Sequence, residues 1–328
     1  MSAVAPVQGA AFAAAHHDAA TALGHRLADL VDDPEVFTET LAGGLAGLSD
    51  PAYRAMVEAV SPAISADYAA RGPLREAVAR PVRAALRHGS SGSALYLAQR
   101  LAASGHRDLR LYALPCLRRS LPEDPERSWQ LLRGMAAGAE DWIEVDSLAE
   151  VWAVAILAEA YRWAELEQLV YSPRTFERRL VGATLATLPH RVPAARRGEL
   201  RDGLSRRSMD LLAMLMGDAE QMVQKALSWA IRNWTRIDPE AVAAFLEAET
   251  ERAEHTADGA RAWVIRDSLA HQPPDRATEL RARLAGLRRD PGAPSTSLAA
   301  SRSAGFAALI EAHDAAAHQG DRTTRSRA

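Results

Sequence analysis

Lysine and cysteine are almost missing from these 328 residues, with one of each, Lys225 and Cys116. A single thiol excludes an internal disulfide and any cysteine-built zinc site, and Cys116 reads as a small buried helix residue. Aromatic side chains make up only 5% of the chain and β-branched residues are sparse, which argues against a large sheet. No apolar run approaches the roughly 18 residues of a membrane span. The segment from Met1 to Ala15 is alanine-rich but lacks the basic start and long apolar stretch of a signal peptide. A cytoplasmic location is therefore expected. The formal charge of −3 excludes a strongly basic surface overall while leaving room for local fields.

What remains is alanine, leucine and arginine, a composition that suits helices. Helical periodicity runs from about Ala19 to Leu287 and is punctuated by short Pro, Gly and Asp breaks. These fall at Asp33-Pro34, Ser49-Asp50-Pro51, Gly72-Pro73, Gly89 to Gly92, Glu123-Asp124-Pro125, Ser172-Pro173, Asp238-Pro239 and Pro273-Pro274. Helices come in pairs about 35–45 residues apart, the period of HEAT-type helical hairpins. The expected fold is all-α, a HEAT-like helical-hairpin repeat solenoid with a concave face. The pattern predicts an N-terminal helical extension over 1–63 and the repeat domain over 64–289. A largely disordered polar tail is expected over 290–328, with a short helix near Ala304 to Ala317.

Charge is arranged in blocks. From Arg71 to Arg119 ten arginines face two acids, and from Arg174 to Arg207 nine arginines face three. Between them, Ser120 to Val170 carries eleven acids and three arginines. Two basic shoulders around an acidic middle fit a phosphate-binding concavity with a carboxylate at its centre. Solvated helix faces account for the same pattern.

Three segments concentrate chemistry. In Asp141-Trp142-Ile143-Glu144-Val145-Asp146 a helix places Trp142 and Asp146 at i and i+4, on one face. An indole can attract a cationic purine, and the carboxylate can stabilise an oxocarbenium ion or orient water. A core tryptophan beside a surface acid is the plainer reading. In Phe176-Glu177-Arg178-Arg179 two arginines follow a helix start, so that one could reach a phosphate while the other stays in solvent. In Gln224-Lys225-Ala226-Leu227-Ser228-Trp229-Ala230-Ile231-Arg232-Asn233-Trp234, Lys225, Trp229 and Arg232 form one stripe. Leu227, Ala230, Ile231 and Trp234 form the opposite, apolar one. The first stripe makes a poor core and a plausible DNA-facing row. Nothing around Lys225 suits it to Schiff-base chemistry.

In this order the three segments resemble the AlkD-type alkylpurine DNA glycosylases, the DNA alkylation repair family of HEAT-like repeats. The pattern is a Trp-x-x-x-Asp helix, a hydrophobic-x-x-Arg helix and a Gln-Lys-Ala-x-x-Trp-x-x-Arg helix, matched here by Trp142/Asp146, Phe176/Arg179 and Gln224 to Arg232. The resemblance spans roughly Ile64 to Gln272. It implies Asp146 as the catalytic carboxylate, Trp142 and Trp229 flanking the lesion nucleotide, and Arg179 on the backbone phosphate; the helix positions of Arg178, Lys225 and Arg232 offer further DNA contacts. Tyr68, followed by Val78 to Arg83, resembles the family's N-terminal tyrosine and would line the lesion side; a helix-packing tyrosine is the alternative. The chain departs from the family in having Asp141 where many members carry a second tryptophan, Phe176 in place of tryptophan, and an arginine-rich insertion over about Val192 to Arg207. These departures bear on the substrate range.

The resemblance implies hydrolysis of the N-glycosidic bond of N3- or N7-alkylated purines, bulky adducts included as an open case, by a monomer on alkylated double-stranded DNA. A cationic purine leaves without a general acid, so one carboxylate suffices. No metal or redox cofactor is implied. His16, His17 and His25 lie in a segment expected to be mobile, without matched acids, and are not read as metal ligands. Glu144, two residues from Asp146, points to another helix face, so a glycosidase-type carboxylate pair is not expected. Two other classes stay open, a non-catalytic HEAT-like protein that binds distorted DNA and a HEAT-type protein-interaction scaffold.

Overall fold

The computed structural model describes residues 4–60, 68–192 and 197–305. Its helices are α1 (Val4–Ala28), α2 (Pro34–Gly47), α3 (Pro51–Val60), α4 (Gly72–His88), α5 (Ser91–Ala102), α6 (Arg107–Ser120), α7 (Pro125–Ala137), α8 (Trp142–Ala158), α9 (Trp163–Leu169), α10 (Thr175–Arg191), α11 (Arg197–Leu215), α12 (Gln221–Thr235), α13 (Pro239–Thr256), α14 (Gly259–Ser268) and α15 (Pro274–Arg283). Among the described residues there is no strand, only an isolated bridge between Ser49 and Ala70. The protein is all-α, as its composition and periodicity predict.

The predicted breaks are the places where helices begin. Asp33, Asp124 and Asp238 each precede a proline, and each side chain accepts a hydrogen bond from the backbone N–H three residues on (Val36, Arg127 and Ala241). Asp50, also before a proline, accepts from Ala52 N at 2.9 Å and from Tyr53 N at 3.4 Å. An aspartate cap satisfies an otherwise orphaned N–H, and proline at the first helical position gives up an N–H that had no partner there.

Residues 1–155 form one compact unit and 156–328 another. In the first, α1 packs along α4 and α5 against α6. The approach of α1 to α4 is close: a Cβ added to Gly24 would lie 2.6 Å from the Val78 carbonyl oxygen. Trp129 of α7 and Trp152 of α8 are fully buried with ring centroids 4.4 Å apart. The boundary expected at residue 63 lies outside the described residues; α1 to α3 and α4 belong to the same unit. His16 and His17 lie on α1 rather than in a mobile segment, and His16 stacks on Phe12 at 4.1 Å.

In the second unit α10 packs on α12. A Cβ on Gly182 would lie 2.9 Å from Ala226 Cβ, Trp234 Nε1 donates to the Leu185 carbonyl at 3.0 Å, and Asn233 Nδ2 donates to the Ala186 carbonyl at 2.8 Å. Contact points advance together along both helices, so α10 and α12 run in the same direction and α11 is the return between them. This is the stacking that helical-hairpin repeats require. Part of the predicted arginine-rich insertion forms the start of α11, while 193–196 lie outside the described residues.

The disordered tail expected from 290 is not what residues 290–305 form. Thr296 N donates to the Gly217 carbonyl at 2.9 Å, Thr296 Oγ1 donates to Asp258, and Ser295 Oγ also reaches Gly217 at 3.2 Å. Ser297 is buried, and its Oγ accepts from Ala300 N at the start of a helical stretch over 298–305. Serine and threonine, read as disorder-promoting, here supply the hydroxyls that dock the strap. Most of the helix expected near Ala304 to Ala317 lies outside the described residues.

Candidate functional site

α8 starts where it does because of Asp141. Its Oδ1 accepts from Ile143 N at 2.7 Å and Glu144 N at 3.1 Å, so Trp142 becomes the first helical residue. One turn later on the same face stands Asp146. Val145, Leu148 and Ala149 are buried in the core, while Trp142 and Asp146 are half-buried. The indole and the carboxylate therefore sit on the less buried side of the helix, which they share with Ile143 and Ser147, opposite its packed side. Both lie near the positive end of the helix, which favours negative charge. The departure at Asp141 thus has a structural role as the cap of this helix.

Glu144 faces the other way. It is 3% exposed, and its Oε1 lies 2.6 Å from Arg110 Nε. Burial pushes its carboxyl up, Arg110 pulls it back, Asp141 raises it again, and it settles at about 7. Tyr68, immediately before α4, is half-buried; its backbone N donates to Asp108 Oδ2 at 3.1 Å and its ring stacks on His106 at 5.1 Å. Burial, with Asp108 nearby, raises the phenol above its ordinary 10.

The first basic block lines a cleft of about 510 Å³ between the C-terminal parts of α4 and α6, walled by Arg83, Arg87, Arg118 and Arg119. Three of these are held by acids: Arg83 by Glu76, Arg118 by Glu150 and Arg119 by Glu123. Arg87 is exposed and has no ion pair among the described residues.

In the second unit neither arginine at the start of α10 stays in solvent, contrary to expectation. Arg178 pairs with Asp218 Oδ2 at 2.7 Å and donates to the Ser172 carbonyl at 2.9 Å, stapling the start of α10 to the loop before α12. Arg178 is therefore engaged in the fold, through Asp218 and the Ser172 carbonyl. Arg179 is 5% exposed and donates through Nη1 to the Met222 carbonyl at 2.6 Å, in the first turn of α12. Its guanidinium is therefore directed by α12.

On α12 the two predicted stripes separate as expected. Leu227, Ala230, Ile231 and Trp234 are buried, Lys225 is exposed, and Trp229 and Arg232 are half-buried. Arg232 pairs with Asp267 at 2.8 Å and touches Ser228 Oγ at 3.2 Å, so Lys225 is the more available cation of the row. Gln224 is fully buried, with Nε2 donating to the Asp218 carbonyl at 2.7 Å; it fixes the N-terminus of α12. Asp218 thus meets both Arg178 and Gln224. Sequence pattern passed it over, although Gly217 beside it, at φ 88°, marks the left-handed turn that delivers it. Trp142, Asp146 and Tyr68 lie in the first unit, and Arg178, Arg179, Lys225, Trp229 and Arg232 in the second.

Among the described residues no group of three or more His, Cys, Asp or Glu side chains is arranged to hold a metal ion, and no helix is long and apolar enough to cross a membrane. The family model described as DNA alkylation repair enzyme matches residues 44–271, opening some twenty residues before the motifs alone place it. No curated protein matches the chain.

Proposed function

The chain belongs to the DNA alkylation repair enzyme family, and on that premise we propose that it is a monofunctional DNA glycosylase that hydrolyses the N-glycosidic bond of N3- or N7-alkylated purines in duplex DNA. The observation that carries the reading is the half-buried Trp142–Asp146 pair at the capped start of α8. An alkylated purine is already cationic and leaves as a neutral base. The protein then has two tasks, to stabilise positive charge growing on the sugar and to place a water molecule for attack. Asp146 is assigned both, as a fixed negative charge and as a hydrogen-bond acceptor for that water. Trp142 is assigned the cationic lesion, by ring-face attraction.

Grip on the duplex falls to the second unit. Lys225 and Arg232 are assigned positive charge for phosphates, Trp229 a ring for a base or sugar, and Arg179 a guanidinium oriented by Met222. Because Trp142 and Asp146 stand on the less buried side of α8 instead of inside the core, the reading extends to bulky adducts that no enclosed pocket would admit. A lyase route through Lys225 gains no support, since the lysine stands exposed on its helix.

The test is release of 7-methylguanine or 3-methyladenine from methylated duplex DNA, with Asp146→Asn alongside wild type. Wild-type release and a loss of about a hundredfold or more in the variant are expected, with DNA affinity retained. Equal release by both proteins removes Asp146 from the chemistry. DNA binding without release by either would favour a non-catalytic DNA-binding protein of this family.

A further inference from the structure

The start of α8 is held by a buried ionic chain that the sequence motifs do not contain. Asp108, on α6, is fully buried, and its two oxygens reach two other parts of the first unit. Oδ2 accepts from Tyr68 N at 3.1 Å, and Oδ1 lies 3.2 Å from Arg75 Nη1 of α4 and 3.5 Å from Arg107 Nη2. Arg107, 5% exposed, carries the chain onward: its Nη1 lies 3.6 Å from Asp141 Oδ2. Asp141 in turn caps α8 through its other oxygen, Oδ1. One turn along α6, Arg110 meets Glu144 of α8 at 2.6 Å and donates to the Met135 carbonyl of α7 at 2.8 Å.

Packing alone does not call for this arrangement. Leu109, Leu114 and Leu117 of α6 and Val145, Leu148 and Trp152 of α8 are buried and supply apolar contact. Buried ions are expensive to desolvate and stabilise a fold little more than apolar residues of the same volume. What the close pairs add is direction: Tyr68 N–Asp108 at 3.1 Å, Arg75–Asp108 at 3.2 Å and Arg110–Glu144 at 2.6 Å each hold only over a narrow range of geometry, while Arg107 joins Asp108 to Asp141 through longer ion pairs of 3.5 and 3.6 Å. Here that direction is applied to Tyr68 and to the turn bearing Trp142 and Asp146.

We infer that Asp108 and Arg107 are positioning residues, holding Tyr68 and the first turn of α8 in one fixed relation. The clamp itself rests on geometry; its bearing on base release rests on the function proposed above. Asp141→Asn isolates the clamp, since asparagine caps a helix as well as aspartate does but drops the charge that Arg107 faces. Asp108→Asn cuts the same chain at its other end. Two readouts are taken on the full chain: amide hydrogen exchange of the 142–148 segment, and single-turnover release of 7-methylguanine at saturating enzyme.

Both variants should exchange several-fold faster over 142–148. Both should release base about ten- to a hundredfold more slowly, with DNA affinity within about twofold of wild type. Arg107→Lys, which keeps a charge near Asp141, should lose less of the rate than either carboxylate variant. Unchanged exchange in both variants overturns the clamp. Faster exchange with a wild-type rate overturns the positioning role. If wild type itself releases no base from alkylated duplexes, the proposed function falls, and the exchange result alone decides the clamp.

Discussion

Raising the pH from 5 to 8 should destabilise the protein through one carboxyl, Glu144. It is buried on α8 with Arg110 beside it, and burial lifts it from an ordinary 4.5 to about 7. Below pH 4.5 the group is neutral in both the folded and the unfolded chain, and its contribution to stability is fully present. Between 4.5 and about 7 the unfolded chain has released its proton while the folded chain still holds it, so each rise in pH favours unfolding. Above that range the charge is carried by both states and the loss is complete. A displacement of this size amounts to about 2–3 kcal/mol between pH 5 and 8, with a steepest slope of about 1.4 kcal/mol per pH unit. The assay is urea unfolding of wild type and Glu144→Gln at several pH values and fixed ionic strength. Every other ionisable group is common to both proteins and cancels in the difference. Arg110 loses its partner in the variant, but an arginine stays charged throughout this range, so its effect is a constant offset. The slope is the test. Parallel profiles would show that Glu144 is already ionised at pH 5 in the folded protein, and that Arg110 outweighs burial.

Arg261, 2% exposed, meets Glu249 and Asp258 and donates to the Met216 carbonyl at 2.9 Å; Arg261→Met should cost about 3–5 kcal/mol in chemical denaturation by stranding buried carboxylates, and a loss below about 1 kcal/mol would refute the triad's role. Gly182→Ala places a Cβ 2.9 Å from Ala226 and should destabilise by about 1–2 kcal/mol despite alanine's better helix propensity; a gain in stability would show that α12 can step away from α10. Lys225→Gln should leave stability within about 0.5 kcal/mol and lower the slope of log affinity against log salt for duplex DNA by about 0.9. An unchanged slope would take Lys225 off the phosphates.

The helices were legible because their punctuation is chemical: Asp-Pro pairs such as Asp33-Pro34 and Asp238-Pro239 end one helix and cap the next whatever surrounds them. The α12 stripe was legible for a similar reason, since Leu227, Ile231 and Trp234 repeat at helical spacing. Arg178 and Arg179 were not, because adjacent arginines look alike in sequence and differ only in what the loop at Asp218 and the Met222 carbonyl present to them. The Arg107–Asp108 pair was hidden by the same blindness. Its charges sit in a helix among leucines, and only the tertiary fold brings Tyr68 and Asp141 to them. Pattern reports which face a residue takes; the identity of a partner 30 or 40 positions away is a property of packing.

The docking of Ser295 and Thr296 onto Gly217 changes how the far end of the second unit would respond to random substitution. The stretch has the composition of a spacer, and the family match ends before it, at 271. In a saturation mutagenesis survey these two hydroxyl positions, with the buried Ser297, should nonetheless be as intolerant as leucines. A shortened chain stopping at the family boundary would lose the peg that steadies the Gly217 turn, and with it the footing of Arg178 and Gln224.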